Sequence, residues 1–412
     1  MTQQKMKFGG GMFPPPQGNF PQSYPEFGFG SGGGPQGIIL PSFEVPFADL
    51  GAGVVSTAEI RTNATPTFTR ATTAWTRLST LLWASVASGS PRSYYRADGV
   101  YAGYLAEVVT TNRCLWSRDL TNVAWVAVNT TPLKTQAGID GVTNSCSLLT
   151  ADLDAGTLLQ TVVSASATRT YSAHIKRSVG TGTLEMTVDG VTWTAVTSSV
   201  GVGSFGLCQI TQAAVTNPIM GFRIGTAGDA FIIDMCQEET QSRATTPMPC
   251  TTVAVVRNAD ILTYPSTGWY NATEGTFFTE ATPIEAAVSA TTGILGAYAD
   301  ANNRISLVFA SAGGLRTFVR ESSVTGADFT SSGTLAVNSR SKLAVSYKAN
   351  DVAASLNNAS GGSDASVAIP TITTFEVGST VVGTGSVFGG CLRSTKYFNR
   401  RLSDSQRLAL TA

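Results

Sequence analysis

Short strand-forming segments, separated by turn-forming residues, recur along most of this chain. From about residue 54 onward they follow one another at roughly 8–12-residue intervals, which is the spacing of β-sandwiches and barrels. Residues 171–176 alternate like a half-buried strand, with Tyr171 and Ile175 predicted on the buried face and His174 on the polar face. This repeated pattern predicts an all-β chain.

Individual segments support the same prediction. Asp189 and Gly190 offer the two positive-φ positions of a type I′ hairpin turn, and residues 231–235 are typical of an apolar central strand. A single short helix is expected at residues 403–410, with Ser403 as its N-cap. After residue 250, further strands are predicted at residues 275–280, 304–309, 342–347 and 351–356.

Together these segments predict an all-β fold with two antiparallel β-sandwich modules of the jelly-roll kind. The modules are expected to follow an extended N-terminal arm that is rich in Gly, Pro and Phe. The expected boundaries are 1–50 for the arm, 51–106 for a connecting region, 107–250 for the first sandwich and 251–412 for the second. A chain of 412 residues is long enough for this organisation.

The first 50 residues differ in composition from the rest. They hold 8 of the 17 prolines, 10 of the 42 glycines and 7 of the 19 phenylalanines. Such a segment cannot bury a core of its own. We expect its hydrophobic side chains to dock the arm, in an extended form, onto another protein, and a low-complexity linker is the alternative. The docking candidates are Phe8, Met12, Phe13, Phe20, Tyr24, Phe27 and Phe29.

The end of the arm is expected to join the folded part near Phe47, with Ile38, Ile39 and Leu40 packed on the first module. No run of about 18 apolar residues is present, so membrane insertion is not expected. Glycines, not an apolar stretch, follow Lys7, so a secretory signal is not expected either.

The charge and cysteine content argue against nucleic-acid binding and against a zinc site. The chain has 27 Lys and Arg and 27 Asp and Glu, without a basic stripe, so nucleic-acid binding is not expected. Six cysteines occur without a CxxC pair, and His174 is the sole histidine. We therefore expect buried free thiols and no zinc site.

A series of short motifs follows a characteristic order along the chain. They lie at residues 67–72, 90–92, 103–107, 111–117 with Trp125, 170–176, 257–260, 269–271 with 274–277, and 396–404. Their order and spacing resemble a family of tailed-bacteriophage tail and virion proteins. Within that resemblance, residues 111–125 and 170–176 are similar to a carbohydrate-binding-module-like jelly roll. Residues 257–277 and 396–404 are similar to a laminin-G or concanavalin-A-like sandwich.

The resemblance covers roughly residues 60–412 and leaves the arm outside. It implies a non-enzymatic structural protein of a virion, of the tail-fibre or spike type, that is assembled in the host cytoplasm. The arm is expected to bind other virion proteins, and the sandwiches to contact host-surface carbohydrate. A homotrimer or another symmetric assembly is expected. A capsid decoration or head-fibre protein is the first alternative, and a glycan hydrolase of the tail is the second.

Candidate catalytic groups are sparse. A Ser-His-Asp site would require His174, but no nucleophile motif of the GxSxG type accompanies it. The adjacent Glu238 and Glu239 point to opposite sides of a strand, and Asp152 with Asp154 also fits a solvated turn. We therefore expect a protein that is not an enzyme.

No metal or other cofactor is predicted. Oxygen ligands for Ca²⁺ are available from Asp152, Asp154, Asp300, Asn302 and Asn303, but no DxDxDG run is present. The tolerance of Asn and Asp for positive φ in turns is the simpler explanation of these residues.

Aromatic side chains are the candidate platforms for a sugar. The available rings are Trp75, Trp83, Trp116, Trp125, Trp193, Trp269, Tyr94 and Tyr95. Trp125 and Trp269 fall inside framework motifs and are expected in cores. The sequence assigns none of these rings to a glycan.

Overall fold

The computed structural model describes residues 39–284, 292–331, 333–380 and 386–412. The predicted docking residues of the arm, from Phe8 to Phe29, lie outside this part of the chain. Leu40–Ala412 make up one structural unit, and its described residues are almost entirely β-strands and turns. The all-β prediction is therefore confirmed.

Eight described strands precede the region predicted as the first sandwich. They are β1 (Phe43–Val45), β2 (Asp49–Gly51), β3 (Val54–Val55), β4 (Thr67–Thr69), β5 (Ala74–Arg77), β6 (Trp83–Val86), β7 (Arg92–Tyr95) and β8 (Tyr101–Ala106). The next eleven are β9 (Thr110–Asn112), β10 (Val126–Val128), β11 (Thr130–Gln136), β12 (Cys146–Ala151), β13 (Gly156–Thr161), β14 (Ala167–Val179), β15 (Leu184–Thr187), β16 (Thr194–Ala195), β17 (Gly206–Val215), β18 (Ile219–Ile224) and β19 (Ala230–Glu239). A 3-10 turn occupies Thr197–Ser199.

Twelve more strands and one helix complete the described chain. They are β20 (Val255–Arg257), β21 (Ile261–Pro265), β22 (Glu274–Pro283), β23 (Thr292–Asp300), β24 (Asn303–Phe309), β25 (Leu315–Glu321), β26 (Val324–Thr330), β27 (Ser341–Lys348), β28 (Asp351–Leu356), β29 (Ala359–Asp364), β30 (Thr374–Val377), β31 (Gly390–Phe398) and α1 (Asp404–Leu410). Strands β22, β24, β27 and β28 confirm the four predicted in this region.

Helix α1 also forms where the sequence predicts it. Ser403 is its N-cap and makes a reciprocal capping box with Gln406, which satisfies two backbone N–H groups at the helix start. No helix among the described residues has the length and apolar character that a membrane crossing requires.

The large sandwich consists of a ten-stranded and a seven-stranded sheet. The first runs β2-β3-β7-β8-β31-β22-β27-β28-β29, with β1 paired to β31, and the second runs β26-β25-β24-β23-β30-β21-β4. Apolar side chains from both sheets fill the space between them, with rings such as Phe277, Phe375 and Tyr397 in mutual contact.

Within residues 43–106, all strands except the separate hairpin β5–β6 belong to this large sandwich, although the sequence divides them between the arm and a connecting region. This stretch supplies β1, β2, β3, β7 and β8 to one sheet and β4 to the edge of the other. Phe43 and Phe47 are fully buried in the shared core, whereas Leu40, expected to pack there, is 64% exposed. The segment is held because its strands pair with sheet edges whose backbone groups would otherwise be unbonded.

The small sandwich consists of two five-stranded sheets, β10-β13-β18-β15-β16 and β11-β12-β19-β14-β17. Strand β19 is central in its sheet, as the apolar run 231–235 predicts, and all its residues are buried. Strands β9 and β20, which flank this module in sequence, pair with each other. The small sandwich is therefore inserted into the chain of the large one.

The predicted type I′ turn at Asp189 and Gly190 is wrong. Strands β15 and β16 do pair, but a wider loop, residues 188–193, connects them. Gly190 has positive φ (74°), whereas Asp189 does not. Instead, the Asp189 carboxylate accepts hydrogen bonds from the N–H groups of Val191 and Thr192, at 2.9 and 2.7 Å, and so stabilises the wider loop.

Five charged side chains meet in the interior where the two sandwiches join. This junction network consists of Arg70, Arg92, Glu107, Arg257 and Asp260, each with a side chain at most 2% exposed. Asp260 binds Arg70 at 2.8 Å and also binds Arg92. Glu107 binds Arg92 at 2.9 Å and Arg257 at 3.1 Å. The five residues come from four of the sequence motifs, which therefore specify a structural junction.

Most of the remaining donors and acceptors of the junction network are also used, except the Nε groups of Arg92 and Arg257, which have no hydrogen-bond partner among the described residues. Arg70, Arg92 and Arg257 donate to the backbone carbonyls at 87, 75 and 108. The Glu107 carboxylate also accepts from the backbone N–H and hydroxyl of Thr246, at 2.9 and 2.6 Å. Burial alone would raise the pKa of Glu107, but the two arginines outweigh burial and lower it to about 2. The carboxylate is therefore ionised at neutral pH.

Asp260→Asn is expected to lower the free energy of unfolding by about 3–5 kcal/mol, because the buried Arg70 loses its counter-ion and the buried Arg92 loses one of its two. The matched control is Asp328→Asn, which removes a partly exposed ion pair with Arg316 and should lower it by about 1 kcal/mol or less. Urea unfolding of the full-length chain at neutral pH measures both. Equal losses would contradict a structural role for the network.

Candidate ligand-binding cleft

A cleft of about 370 Å³ lies where hairpin β5–β6, the small sandwich and the large sandwich meet. Its size falls near the lower end of the roughly 300–1,000 Å³ of small-molecule sites. The lining combines two rings, three charged groups and the sole histidine: Trp83, Tyr94, Arg77, Arg96, Asp98 and His174. The described part of the chain therefore contains a concave site with both apolar and polar groups.

Hairpin β5–β6 positions the aromatic wall. Along β5, Ala74 and Thr76 are buried while Arg77 is half-buried, which is the alternation of a strand with one covered face. Arg77 lies directly opposite Trp83 on β6. Its guanidinium carbon lies 4.8 Å from the Trp83 ring centre and 5.6 Å from that of Tyr94. Both rings thus hold the cation through cation–π contacts.

The two arginines of the cleft differ in how their charge is balanced. Arg96 is paired with Asp98 and donates to the backbone oxygen of Asn338 at 2.6 Å. Arg77 makes no hydrogen bond or ion pair with any described residue. The cleft therefore contains one guanidinium group without a counter-ion.

His174 also lines the cleft, but its side chain is only 6% exposed. The sequence places it on a solvent-facing side of β14, which is wrong because hairpin β5–β6 covers that side and brings Trp83 within 5.5 Å of the imidazole. Its Nδ1 atom has no hydrogen-bond partner in the described chain. Burial, together with the charge of Arg77, lowers the pKa of His174 to about 3, so the imidazole is neutral at pH 7.

The floor of the cleft, which includes Thr245 and Thr246, is hydrogen-bonded to buried carboxylates. Gln209 accepts a hydrogen bond from the N–H of Ala244 at 2.8 Å, which fixes its amide at the rim. Thr246 is bound by the Glu107 carboxylate. Thr245 donates to Glu239 through its N–H at 3.0 Å and its hydroxyl at 2.6 Å. Through the contact between Thr246 and Glu107, the floor of the cleft is attached to the junction network.

The carboxylates considered for catalysis lie elsewhere. Glu238 pairs with Arg169 at 3.1 Å, and burial raises the pKa of both Glu238 and Glu239. Asp152 accepts from the Thr131 hydroxyl at 3.0 Å, and Asp154 accepts from the N–H of residue 227 at 2.8 Å. Neither pair lines the cleft, and both aspartates serve in surface turns.

The calcium candidates are also turn residues. Asp300 Oδ1 accepts from the N–H groups of Asn302 and Asn303, at 2.7 and 3.0 Å, as in an Asx turn. Within residues 39–284, 292–331, 333–380 and 386–412, no cluster of three or more His, Cys, Asp or Glu side chains is arranged to hold a metal. All six cysteines are buried free thiols.

Of the candidate sugar platforms, Trp83 and Tyr94 reach the cleft. Trp125 and Trp269 are buried in the cores of the two sandwiches, as their motifs predict. No sequence pattern distinguishes Arg77, since it is one arginine in a short alternating strand. Only its proximity to rings that are distant in sequence makes it prominent.

No family model and no curated protein matches this sequence. Solved structures similar to parts of it include domain 4 of AbnA, a GH43 extracellular arabinanase from Geobacillus stearothermophilus, in complex with arabinotriose. It is 16% identical at a TM-score of 0.33 and covers 42% of this chain and 84% of its own.

A second similar structure is the CBM40 of the Ruminococcus gnavus IT-sialidase bound to α2,3-sialyllactose. It is 16% identical at a TM-score of 0.30 and covers 34% of this chain and 84% of its own. Trypanosoma rangeli sialidase in complex with the inhibitor DANA is 10% identical at a TM-score of 0.29, with 78% and 66% covered. At these TM-scores the likeness carries no conclusion about function.

Because His174 is the sole histidine, its imidazole C–H signals in an NMR spectrum need no assignment by mutagenesis. We expect these signals to stay constant between pH 8 and about pH 4, since a lowered pKa keeps the ring neutral. The unfolded chain would bind a proton near pH 6.5, so stability should fall as pH drops below that value. A titration midpoint near 6.5 in the folded protein would contradict the buried, uncharged site.

Proposed function

We propose that this chain is a non-enzymatic structural protein of a bacteriophage particle, of the tail-fibre or spike type, which binds carbohydrate in the cleft between its sandwiches. The observation that carries the binding role is the composition of the cleft. It joins two aromatic rings to the guanidinium of Arg77, unpaired among the described residues, and to the polar side chains of His174 and Gln209 in a concave site. The particle role is supported by the resemblance of the motif order.

Carbohydrate suits this cleft because sugars present many hydroxyl groups on a partly apolar ring. A neutral imidazole can donate at one nitrogen and accept at the other, and an amide such as that of Gln209 does both. The edges of Trp83 and Tyr94 offer apolar contact beside these groups.

The same groups favour binding without turnover. Glycoside hydrolysis normally uses two carboxylates that flank the scissile bond. Among the lining residues that the structure describes, Asp98 is the one carboxylate, and Arg96 already binds it. Glu107 and Glu239 lie behind the floor, where Thr246 and Thr245 occupy their oxygens. This arrangement supports a lectin-like role over the hydrolase alternative.

In the proposed assembly the N-terminal arm binds other virion proteins, and several copies, such as a homotrimer, present the cleft together. A small cleft gives modest affinity, and linkage of several copies raises the effective affinity without new contacts. A head-fibre or capsid-decoration protein would use the same parts at another place on the particle.

The cleft can be closed by one bulky side chain. Ala97 is exposed in the turn between β7 and β8 and lines the cleft. Ala97→Trp is expected to lower glycan affinity about tenfold or more, since the indole would occupy ligand space, which corresponds to at least about 1.4 kcal/mol. The fluorescently labelled full-length chain on an array of neutral and acidic glycans measures this.

The matched control is Ala349→Trp, which makes the same change in an exposed turn between β27 and β28. It should bind like the wild type. Equal binding by all three proteins would place the sugar site outside the cleft. Shortened glycans in mass spectra after incubation with the wild type would overturn the non-enzymatic assignment.

A further inference from the structure

The charge of the cleft points to a particular class of sugar. Arg96 and Asp98 neutralise each other. His174 is uncharged at pH 7, and the buried Glu107 is compensated by Arg92 and Arg257. Among the described residues that line the cleft, Arg77 is the charged group without a counter-ion.

The surroundings of Arg77 prepare it for an anion. Its guanidinium carbon is held over Trp83 and near Tyr94, so its orientation is restricted before a ligand arrives. A guanidinium group is weakly hydrated and presents a planar set of N–H donors that matches a carboxylate in a bidentate pair. Such a pair inside a half-covered cleft is less screened by solvent than one on an open surface.

Building on the function proposed above, we propose that the cleft selects acidic sugars, namely uronic or sialic acid units. The carboxylate of the sugar pairs with Arg77, while its hydroxyls bond to His174 and Gln209. The limited volume of about 370 Å³ suits a short terminal unit of a glycan.

A second unpaired guanidinium offers a matched comparison. Arg304 lies 4.8 Å from the ring centre of Phe318, as close as Arg77 is to Trp83. It also faces Arg320 directly across strands β24 and β25. This pair belongs to the large sandwich and does not line the cleft. Arg304→Gln thus removes a stacked, unpaired charge without altering the cleft.

The test is isothermal titration calorimetry on the full-length wild type and on Arg77→Gln and Arg304→Gln variants. The probes are sialyllactose with lactose, oligogalacturonate with its methyl ester, and a sulfated lactose. We expect the wild type to bind at least one carboxylated probe about tenfold or more tightly than its neutral partner, the size of one charge-assisted hydrogen bond. Arg77→Gln should lose this preference, and Arg304→Gln should keep it.

The alternative outcomes separate this inference from the function it rests on. Equal binding of neutral and acidic probes, still abolished by Ala97→Trp, would overturn acidic selectivity and leave carbohydrate binding intact. A preference for the sulfated probe alone, or a loss on Arg304→Gln and not on Arg77→Gln, would also overturn the inference. An absence of binding to these probes and to the whole glycan array would overturn both proposals.

Folding of the variants is checked by thermal melts. If Arg77→Gln melts well below the wild type, Arg77→Lys replaces it, because lysine keeps the charge and the ring contact but lacks the planar fork. That variant is expected to lose most of the preference for the carboxylate over the neutral partner. An undiminished preference in Arg77→Lys would contradict the bidentate pairing.

Discussion

The burial of five ionised groups at one junction is the constraint on which the architecture depends. A buried charge is tolerated only when its counter-ions and hydrogen bonds are in place, so the junction forms completely or not at all. Arg70 and Asp260 are separated by 190 positions in the chain, and the whole small sandwich lies between them. Pairing of β9 with β20 and closure of the network therefore commit the two sandwiches and hairpin β5–β6 to one arrangement.

Because several charged side chains are buried in the interior, fewer of them remain on the surface. The chain has only 27 basic residues, and several arginines are fully buried: Arg92, Arg169, Arg257 and Arg407. Interior arginines of this kind serve the fold, because each finds carboxylate or carbonyl partners. An arginine that lies at a concave site without such a partner differs from these, because its charge is not balanced within the fold. Arg77 belongs to this second kind, because its guanidinium group is available to a ligand anion, whereas Arg96 is already paired with Asp98.

Sequence patterns predicted individual strands and the helix better than they predicted how these elements pack together. Strand β19 and the capped helix α1 were predictable because local alternation, apolar runs and capping residues determine them. The position of His174 was not, since alternation identifies two faces but not whether a neighbouring hairpin covers the second. The sequence motifs at residues 67–72, 90–92, 103–107 and 257–260 contain the residues of the junction network, but they do not show that these residues meet. Nor did any local pattern distinguish Arg77, whose partners are rings brought near it by the tertiary fold.

The location of the cleft makes its geometry dependent on this assembly. Hairpin β5–β6 supplies Arg77 and Trp83, the small sandwich supplies His174 and Gln209, and the large sandwich supplies the turn that holds Arg96. Neither sandwich alone contains a complete set of these groups. Thr246 of the floor is bonded to Glu107, so a buried carboxylate of the junction network also fixes part of the site. A displacement at the junction would separate the cation from the imidazole, because each is anchored to a different module. The buried charges thus keep the cleft preorganised, and a site held this way loses little conformational freedom when a ligand binds.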